Sequence, residues 1–240
     1  MLIIGHRGAA AHAPENTLAS LRKAWQLGVD WVEVDAQFID GELILFHDHR
    51  LERLTNATGW LRAKSLAELR ALDVGQGERM PTLREALDCL MQCQRQQGGM
   101  LTQQERVPHI NIELKSSGTA SPVAALIGEY VNRHGWQKTQ FLVSSFDHTE
   151  LKAFRQLRAD IPVAVLVAGA PLDFSTCMAL EAQALNIGSD FVTPELVLAA
   201  HAQGLQVMVY TVNDPAEARW LRDMGVDGVF SDAPDVVAQL

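Results

Sequence analysis

Short apolar runs alternate with amphipathic stretches along the chain. The runs are rich in valine and isoleucine, which is typical of strands that are covered on both faces. They predict nine strands, namely Leu2–Gly5, Trp31–Gln37, Leu43–Phe46, His109–Leu114, Phe141–Ser144, Val163–Val167, Ala184–Ile187, Gln206–Thr211 and Gly228–Ser231. Helical periodicity lies between them, in Thr17–Leu27, Thr82–Gln96, Pro122–His134, His148–Leu157, Pro194–Gln203 and Ala216–Met224. The chain is therefore predicted to be an α/β protein.

Repetition of strand and helix predicts a parallel sheet with right-handed crossovers. The 240 residues match the usual size of a (β/α)8 barrel, about 250 residues. We therefore expect one TIM-barrel domain over residues 1–240, with Leu43–Phe46 as a partner of the second strand. A doubly wound open sheet is the alternative, which the lack of a Gly-x-Gly-x-x-Gly or Walker-type lysine loop disfavours.

Two segments break the repetition of strand and helix. His49–Gly77 is longer than an ordinary strand-to-helix loop, and it contains a turn-like stretch and a helical pattern at Ser65–Leu72. This segment is predicted to be a small inserted cap at the catalytic mouth of the barrel. Gln97–Val107, with two adjacent glycines and several glutamines, is expected to be a surface loop or a frayed helix end.

Composition and charge limit the classes of partner. With 48% apolar residues the chain can bury a large core, and its net charge of −9 argues against nucleic acid or an anionic membrane as a partner. Lysines and arginines are scattered, so a site that binds phosphate must gather positive charge locally. The oligomeric state stays open.

Cysteine use and the start of the chain point to a cytoplasmic protein. The cysteines are Cys89, Cys93 and Cys177, and a low, odd number without a secretory segment fits a reducing compartment. Cys89 and Cys93 are expected to be buried thiols, with a zinc site as the less favoured alternative because a second ligand pair is not evident. No apolar run approaches the roughly 18 residues that span a membrane.

Three carboxylates interrupt predicted strands. Glu33 and Asp35 are two residues apart, so both side chains face the same way, while Val32 and Val34 face the other way. Glu113 lies in another strand, within an apolar stretch. Buried carboxylates repel one another unless a cation joins them, and oxygen ligands favour Mg²⁺ or Ca²⁺. Buried ion pairs with arginine or lysine are the alternative interpretation.

Histidine and basic residues follow strands at the same end of the predicted barrel as these carboxylates. His6 and His47 are predicted to be a general acid and base, since two imidazoles can share proton transfer near neutral pH. Arg7 and Lys115 supply local positive charge for a phosphate. The alternative role of these two cations, as partners of the carboxylates, is compatible with the first. The other histidines are expected to be ordinary polar residues.

The segment Pro14–Leu18 opens a helix, with Asn16 or Thr17 as its N-cap. Its main expected role is to hold the loop that carries His6 and Arg7. Glu15 is a candidate for a hydrogen bond inside that loop.

An ordered set of short strings carries a family resemblance. The strings are His6-Arg7-Gly8, Pro14-Glu15-Asn16-Thr17, Glu33-Val34-Asp35, His47-Asp48, Leu51-Glu52-Arg53-Leu54-Thr55, Pro81-Thr82-Leu83, Ile112-Glu113-Leu114-Lys115, Ser144-Ser145-Phe146-Asp147, Tyr210-Thr211-Val212-Asn213 and the closing Gly225–Asp232. None is specific alone, but together they cover essentially the whole chain. In this order they resemble the successive signatures of the glycerophosphodiester phosphodiesterase family, and the length resembles its short cytoplasmic bacterial members.

The resemblance implies a TIM barrel with a small cap and a metal-dependent hydrolase. It places the metal on Glu33, Asp35 and Glu113, the acid and base on His6 and His47, the substrate phosphate on Arg7 and Lys115, and a pocket wall on Phe146 and Tyr210. The implied substrates are glycerophosphodiesters, deacylated phospholipids such as glycerophosphocholine or glycerophosphoethanolamine. The implied products are sn-glycerol 3-phosphate and an alcohol, and attack by the glycerol 2-hydroxyl through a cyclic phosphate is left open.

The chain departs from the family pattern at a few positions. Family members often have tryptophan where this chain has Tyr210 and threonine where it has Ser231, and Leu54–Gly59 is poorer in glycine. These changes affect the expected preference for substrate. The alternatives are a lysophospholipase D-like or other phospholipid phosphodiesterase on the same barrel, and a binding protein without activity.

Overall fold

Eight parallel strands form a closed barrel in the computed structural model, which describes residues 1–97, 106–169 and 173–238. They are β1 (Leu2–Gly5), β2 (Trp31–Ile39), β4 (Ile110–Leu114), β5 (Phe141–Ser145), β6 (Val163–Val167), β7 (Ala184–Gly188), β8 (Gln206–Tyr210) and β9 (Gly228–Ser231). β1 pairs in parallel with both β2 and β9, which closes the barrel. The remaining strand, β3 (Glu42–Leu45), pairs antiparallel with β2. The predicted TIM barrel is therefore confirmed.

Helices cover the outside of the barrel. They are α1 (Leu18–Leu27), α2 (Leu66–Ala71), α3 (Leu83–Gln97), α4 (Ala120–Arg133), α5 (His148–Leu157), α6 (Ser175–Ala179), α7 (Pro194–Ala202), α8 (Pro215–Met224) and α9 (Pro234–Val237). Apart from α2, whose Leu69 belongs to the cap, apolar side chains of these helices and the outer faces of the strands pack into one large buried cluster. Most predicted helices lie within two residues of their observed bounds, but α6 and α9 are too short to show a period and were not predicted.

The register of β2 and β4 decides what lies inside the barrel. Val32 and Val34 face outward into the large cluster. Glu33 and Asp35, which alternate with them, therefore face the interior. Asp35 pairs with Glu113, and Glu33 pairs with Asn111. The carboxylates therefore enter the barrel side by side, near the carboxyl ends of the strands. Deeper in the interior, apolar residues fill the space, including Ile4, Leu142, Met208 and Phe230.

The cap follows the β2–β3 hairpin. β2 runs two residues further than predicted and turns at Asp40–Gly41, which have φ angles of 51° and 84°, the pattern of a tight hairpin. Between β3 and α3 the chain forms a 3₁₀ turn at Leu61–Ala63 and then α2. A separate buried cluster holds this cap against the hairpin; its members are Ile39, Ile44, Phe46, Leu51, Leu61, Leu69, Val74 and Met80.

Three further expectations concern the cysteines, membrane-spanning helices and the loop after α3. Cys89, Cys93 and Cys177 lie buried and unbonded to one another. In the described part of the chain, no helix is both long and apolar enough to cross a membrane. The loop predicted at Gln97–Val107 lies largely outside the described residues.

The loop after β1 depends on Gly8. Gly8 has a φ of 88°, and a Cβ there would lie 2.6 Å from the carbonyl carbon of Ser20 and overlap its Oγ. The Ser20 hydroxyl donates a hydrogen bond of 2.8 Å to the Arg7 carbonyl, so α1 lies directly against this loop. Only glycine allows both the backbone conformation and this close approach.

We expect Gly8→Ala to destabilise the fold by about 3 kcal/mol, since it adds a steric overlap to an unfavourable φ. Gly28→Ala is the matched control: Gly28 has a φ of 83°, with open space around its missing Cβ. That variant should lose only about 1 kcal/mol. Urea denaturation of the two variants measures the difference, and equal losses would contradict the role of close packing at Gly8.

Candidate active site

The three predicted metal ligands meet at the mouth of the barrel. Glu33, Asp35 and Glu113 each place a carboxylate oxygen so that all three lie within 4.8 Å of one another. All three side chains are buried, with exposed fractions of 3%, 1% and 8%. Burial and the neighbouring Asp35 raise the pKa of Glu113 to about 7, and burial with the same repulsion raises that of Glu33 well above its usual range. Such a group of oxygen donors fits a hard divalent cation.

Two basic side chains partly balance this charge. Lys115 Nζ lies 2.7 Å from Glu113 Oε1 and 3.4 Å from Asp35 Oδ1. Arg7 Nε lies 3.2 Å from Asp35 Oδ2. Burial acts to raise the pKa of Asp35, but Lys115 and Arg7 outweigh it, so that pKa is lowered. Both interpretations of these cations are therefore compatible with their positions, since they pair with the carboxylates and also line the cavity.

Hydrogen bonds from the loop after β1 hold two of the three carboxylates in place. The backbone N–H of Arg7 donates a 2.8 Å hydrogen bond to Glu33 Oε2. Buried Asn16 donates from Nδ2 to Asp35 Oδ2 at 2.8 Å, and its Oδ1 accepts from the Asp35 N–H at 3.0 Å. Thr17, rather than Asn16, caps α1. Asn16 thus orients a predicted metal ligand, a role that its position in the sequence did not indicate.

Each of the two histidines predicted for the site has an aspartate partner. His6 Nδ1 lies 2.7 Å from Asp232 Oδ1, and Asn213 donates to the other oxygen of Asp232 at 2.9 Å. His47 Nδ1 lies 2.6 Å from Asp48 Oδ1. A carboxylate can only accept, so each Nδ1 carries the proton and each Nε2 is available for chemistry.

An ion network joins the cap to the loop after β1. Arg53 donates two hydrogen bonds to Asp48, at 2.7 and 2.9 Å, and two to Glu15, at 2.8 and 2.9 Å. Glu15 also accepts from Arg7 at 2.6 Å, which agrees with the expected hydrogen bond inside that loop. Hydrogen bonds from Arg53 hold the pKa of Asp48 well below its usual range. Arg53 therefore fixes the orientation of Asp48 next to His47.

One cavity of about 240 Å³ lies at the barrel mouth, and the predicted site residues that line it include His6, Arg7, Glu33, His47, Glu113 and Lys115. Phe146 and Tyr210 form one wall, with their ring centroids 5.8 Å apart and nearly perpendicular. The Tyr210 hydroxyl donates a 2.6 Å hydrogen bond to the Val167 carbonyl, so the ring is held in place. Every residue predicted for the site therefore faces the cavity or contacts a residue that does.

Several contributing residues were not assigned a role from the sequence. Asp48 and Asp232 stood in the quoted strings, but nothing linked them to particular histidines. Asp232 and His6 are 226 positions apart, and only closure of the barrel brings them together. Asp48 directly follows His47, which is a usable signal, whereas Arg53 and Asn213 have none. Other histidines contact acids away from the cavity, such as His12 with Asp235 and His201 with Asp227.

Comparison with known proteins agrees with this geometry. Residues 6–236 match the glycerophosphoryl diester phosphodiesterase family. The glycerophosphodiester phosphodiesterase of Bacillus altitudinis is 32% identical over 245 residues, which cover 97% of this chain and 95% of that protein.

Solved structures are similar over the same extent. A phosphodiesterase from Oleispira antarctica, in complex with the product sn-glycerol-3-phosphate, has a TM-score of 0.87 and 33% identity, covering 100% of this chain and 96% of that one. A glycerophosphodiester phosphodiesterase from Agrobacterium tumefaciens has a TM-score of 0.80 and 26% identity, covering 100% of both chains.

The match covers the barrel from the end of β1 onward, the cap and every residue of the cavity, since it runs from His6 to beyond Asp232. The buried carboxylates, the two histidines and the fold all agree with it. The chain therefore belongs to the glycerophosphoryl diester phosphodiesterase family of enzymes.

Proposed function

We propose that the enzyme hydrolyses glycerophosphodiesters to sn-glycerol 3-phosphate and an alcohol, with a divalent metal ion, Mg²⁺ or Ca²⁺, held by Glu33, Asp35 and Glu113. The observation that carries the proposal is the group of three buried carboxylate oxygens within 4.8 Å of one another, at a cavity that two histidines also line. Family membership supports the choice of bond, because the matching family cleaves glycerophosphoryl diesters.

In this proposal Arg7, Lys115 and the metal ion bind the phosphate of the substrate. When bound, the metal ion supplies positive charge next to the phosphoryl oxygens and so favours the transition state. Arg7 offers a planar guanidinium beside one oxygen of Asp35, and Lys115 a compact charge beside the other. Their positive charge orients the diester and stabilises the negative charge that develops on its oxygens.

The two histidines have unequal partners, and this difference suggests separate roles. Burial lowers the pKa of His47, in spite of the opposing effect of Asp35 and Asp48. Asp48 shares its charge with Arg53, whereas Asp232 is bound by the neutral amide of Asn213. Asp232 is therefore free to stabilise a charged imidazolium on His6.

We assign His47 as the base and His6 as the acid. His47 Nε2 accepts the proton of the attacking hydroxyl as its oxygen bonds to phosphorus. The bond from phosphorus to the departing oxygen breaks, and His6 Nε2 donates a proton to that oxygen. Phe146 and Tyr210 form the wall against which the arm that stays on the phosphate lies. The attacking hydroxyl belongs either to water or to the glycerol 2-position. In the second case the first product is a cyclic phosphate, and water then opens it to sn-glycerol 3-phosphate.

Removal of metal by a chelator is expected to abolish release of sn-glycerol 3-phosphate from glycerophosphodiesters, and Mg²⁺ or Ca²⁺ should restore it. Binding should also stabilise the fold, raising the melting temperature by about 5 to 10 °C at about 100 times the dissociation constant. Calorimetry of the chelated protein with added metal checks this without reference to activity.

Variants at acidic positions provide the control for metal binding. Glu113→Gln should lose most of the rise in melting temperature, because a neutral amide replaces a charged ligand. Glu195→Gln, at an exposed position on α7, should keep it. Full activity in excess chelator, with a melting temperature that metal does not change, would contradict the proposed metal site.

Asp232→Asn is expected to lower kcat by about 100-fold, since the amide no longer fixes the proton on Nδ1 of His6 or stabilises its charged form. The matched control is Asp235→Asn, which changes an aspartate that bonds to His12 at 2.7 Å, outside the cavity. It should stay within about twofold of the parent, because exposed ion pairs contribute little. Comparable losses in both variants, or none in Asp232→Asn, would contradict the role of Asp232.

A further inference from the structure

A second cavity lies beside the first, under the cap. Its volume is about 430 Å³, against about 240 Å³ for the cavity with the histidines. Its walls come from the end of β2, the cap around Trp60 and the loop after β4. Lys115 is the residue that lines both cavities. A phosphodiester has two alcohol arms joined at phosphorus, so two cavities that meet at a phosphate-binding lysine match its shape.

The larger cavity suits the arm that leaves. The smaller cavity contains the histidines and carboxylates and is large enough for the phosphate and one short arm. The cap segment that closes the larger cavity packs through its own apolar cluster. Differences in the cap can therefore change this cavity without disturbing the barrel.

Positive charge already lies against the ring of Trp60 in this cavity and against that of Phe146 in the neighbouring one. The guanidinium carbons of Arg50 and Arg62 lie 5.3 and 5.5 Å from the centroid of the Trp60 ring. Lys115 Nζ lies 5.6 Å from the centroid of Phe146. A quaternary ammonium group binds well on aromatic faces that carry no other cation. The rings of Trp60 and Phe146 are therefore poor sites for choline.

Arg62 adds charge that no acid balances. Arg50 pairs with Glu52, but in residues 1–97, 106–169 and 173–238 no carboxylate lies within ion-pair distance of Arg62. Asp147 is the acid that lines this cavity, and its Oδ1 already accepts the backbone N–H groups of Thr149 and Glu150. One oxygen of Asp147 is thus committed to the N-terminus of α5, and the two cations Arg62 and Lys115 outnumber this acid in the lining.

The polar groups match hydroxyls instead. Arg62 and the hydroxyl of Ser117 can donate, the second oxygen of Asp147 can accept, and the exposed edges of Phe38 and Trp60 offer apolar contact for carbon-bound hydrogens. A hydroxyl needs both a donor and an acceptor when it is buried, and a mixed lining supplies both.

We infer that the cap cavity holds the departing alcohol and selects an uncharged polyol, such as glycerol or inositol, over an alcohol that carries an ammonium group. This inference rests on the proposed function, because it concerns the leaving group of that reaction. Arg62 acts as a specificity-determining residue: its charge disfavours a cationic arm, and its N–H groups bind a neutral one.

The test is a comparison of kcat/KM for glycerophosphoglycerol and glycerophosphocholine, measured as release of sn-glycerol 3-phosphate by the metal-loaded enzyme. The parent should favour glycerophosphoglycerol by about tenfold, the effect of one or two nearby charges on a cation at the cavity surface. In Arg62→Glu this preference should fall by about tenfold, mainly through faster turnover of glycerophosphocholine. Arg62→Gln should fall between the two, and thermal melts check that both variants are folded.

Arg133→Glu is the matched control, because it makes the same change of charge at an exposed position. Arg133 ends α4, and α4 runs away from the barrel mouth, so the residue lies near the opposite end. Its preference should match the parent. An equal shift in Arg133→Glu would show that net charge, not the cap cavity, sets the preference and would overturn the inference.

Two further outcomes separate the inference from the proposed function. A parent enzyme that cleaves both substrates but favours glycerophosphocholine would overturn the leaving-group assignment alone. An equal effect of Arg62→Glu on both substrates would do the same. If neither substrate released sn-glycerol 3-phosphate, the proposed function would fail, and the leaving-group assignment would fail with it.

Discussion

Repulsion among three buried carboxylates is the constraint on which the rest of the site depends. The register of β2 against β4 places Asp35 beside Glu113, with Glu33 one step deeper. Taking such charges out of water is costly unless opposite charge compensates. The positions of Arg7, Lys115 and Asn16 follow from this need, since each of them donates to or pairs with one of the three acids.

The sequence predicted the fold and the members of the site for a simple physical reason. Side chains alternate along a strand, so the spacing of Glu33 and Asp35 already stated that both face the same side. Parallel strands bring their carboxyl ends to one edge, so polar residues that follow different strands were expected to meet. These features depend on local sequence and on a single topology, and both can be derived without coordinates.

The pairing of side chains from distant parts of the chain, and the shape of the cap cavity, could not be derived in this way. His6 acquires Asp232 from the other end of the chain, and no local pattern indicates which of 29 acidic residues it will be. The same holds for Arg53, which bridges the cap and the loop after β1. The cap cavity depends on how α2 and the 3₁₀ turn pack on the hairpin, so its lining and charge appear only in three dimensions.

The hydrogen bond between His6 and Asp232 has a consequence for the order in which the site forms as the chain is synthesised and folds. His6 follows the first strand and Asp232 follows the last, so the two meet only when β9 docks against β1. A nascent chain carries the three acids and both imidazoles of the cavity long before that strand leaves the ribosome, yet the imidazole of His6 lacks its aspartate partner until then. The two-histidine arrangement of the cavity is therefore complete only at the final closure of the ring, however early the rest of the barrel forms.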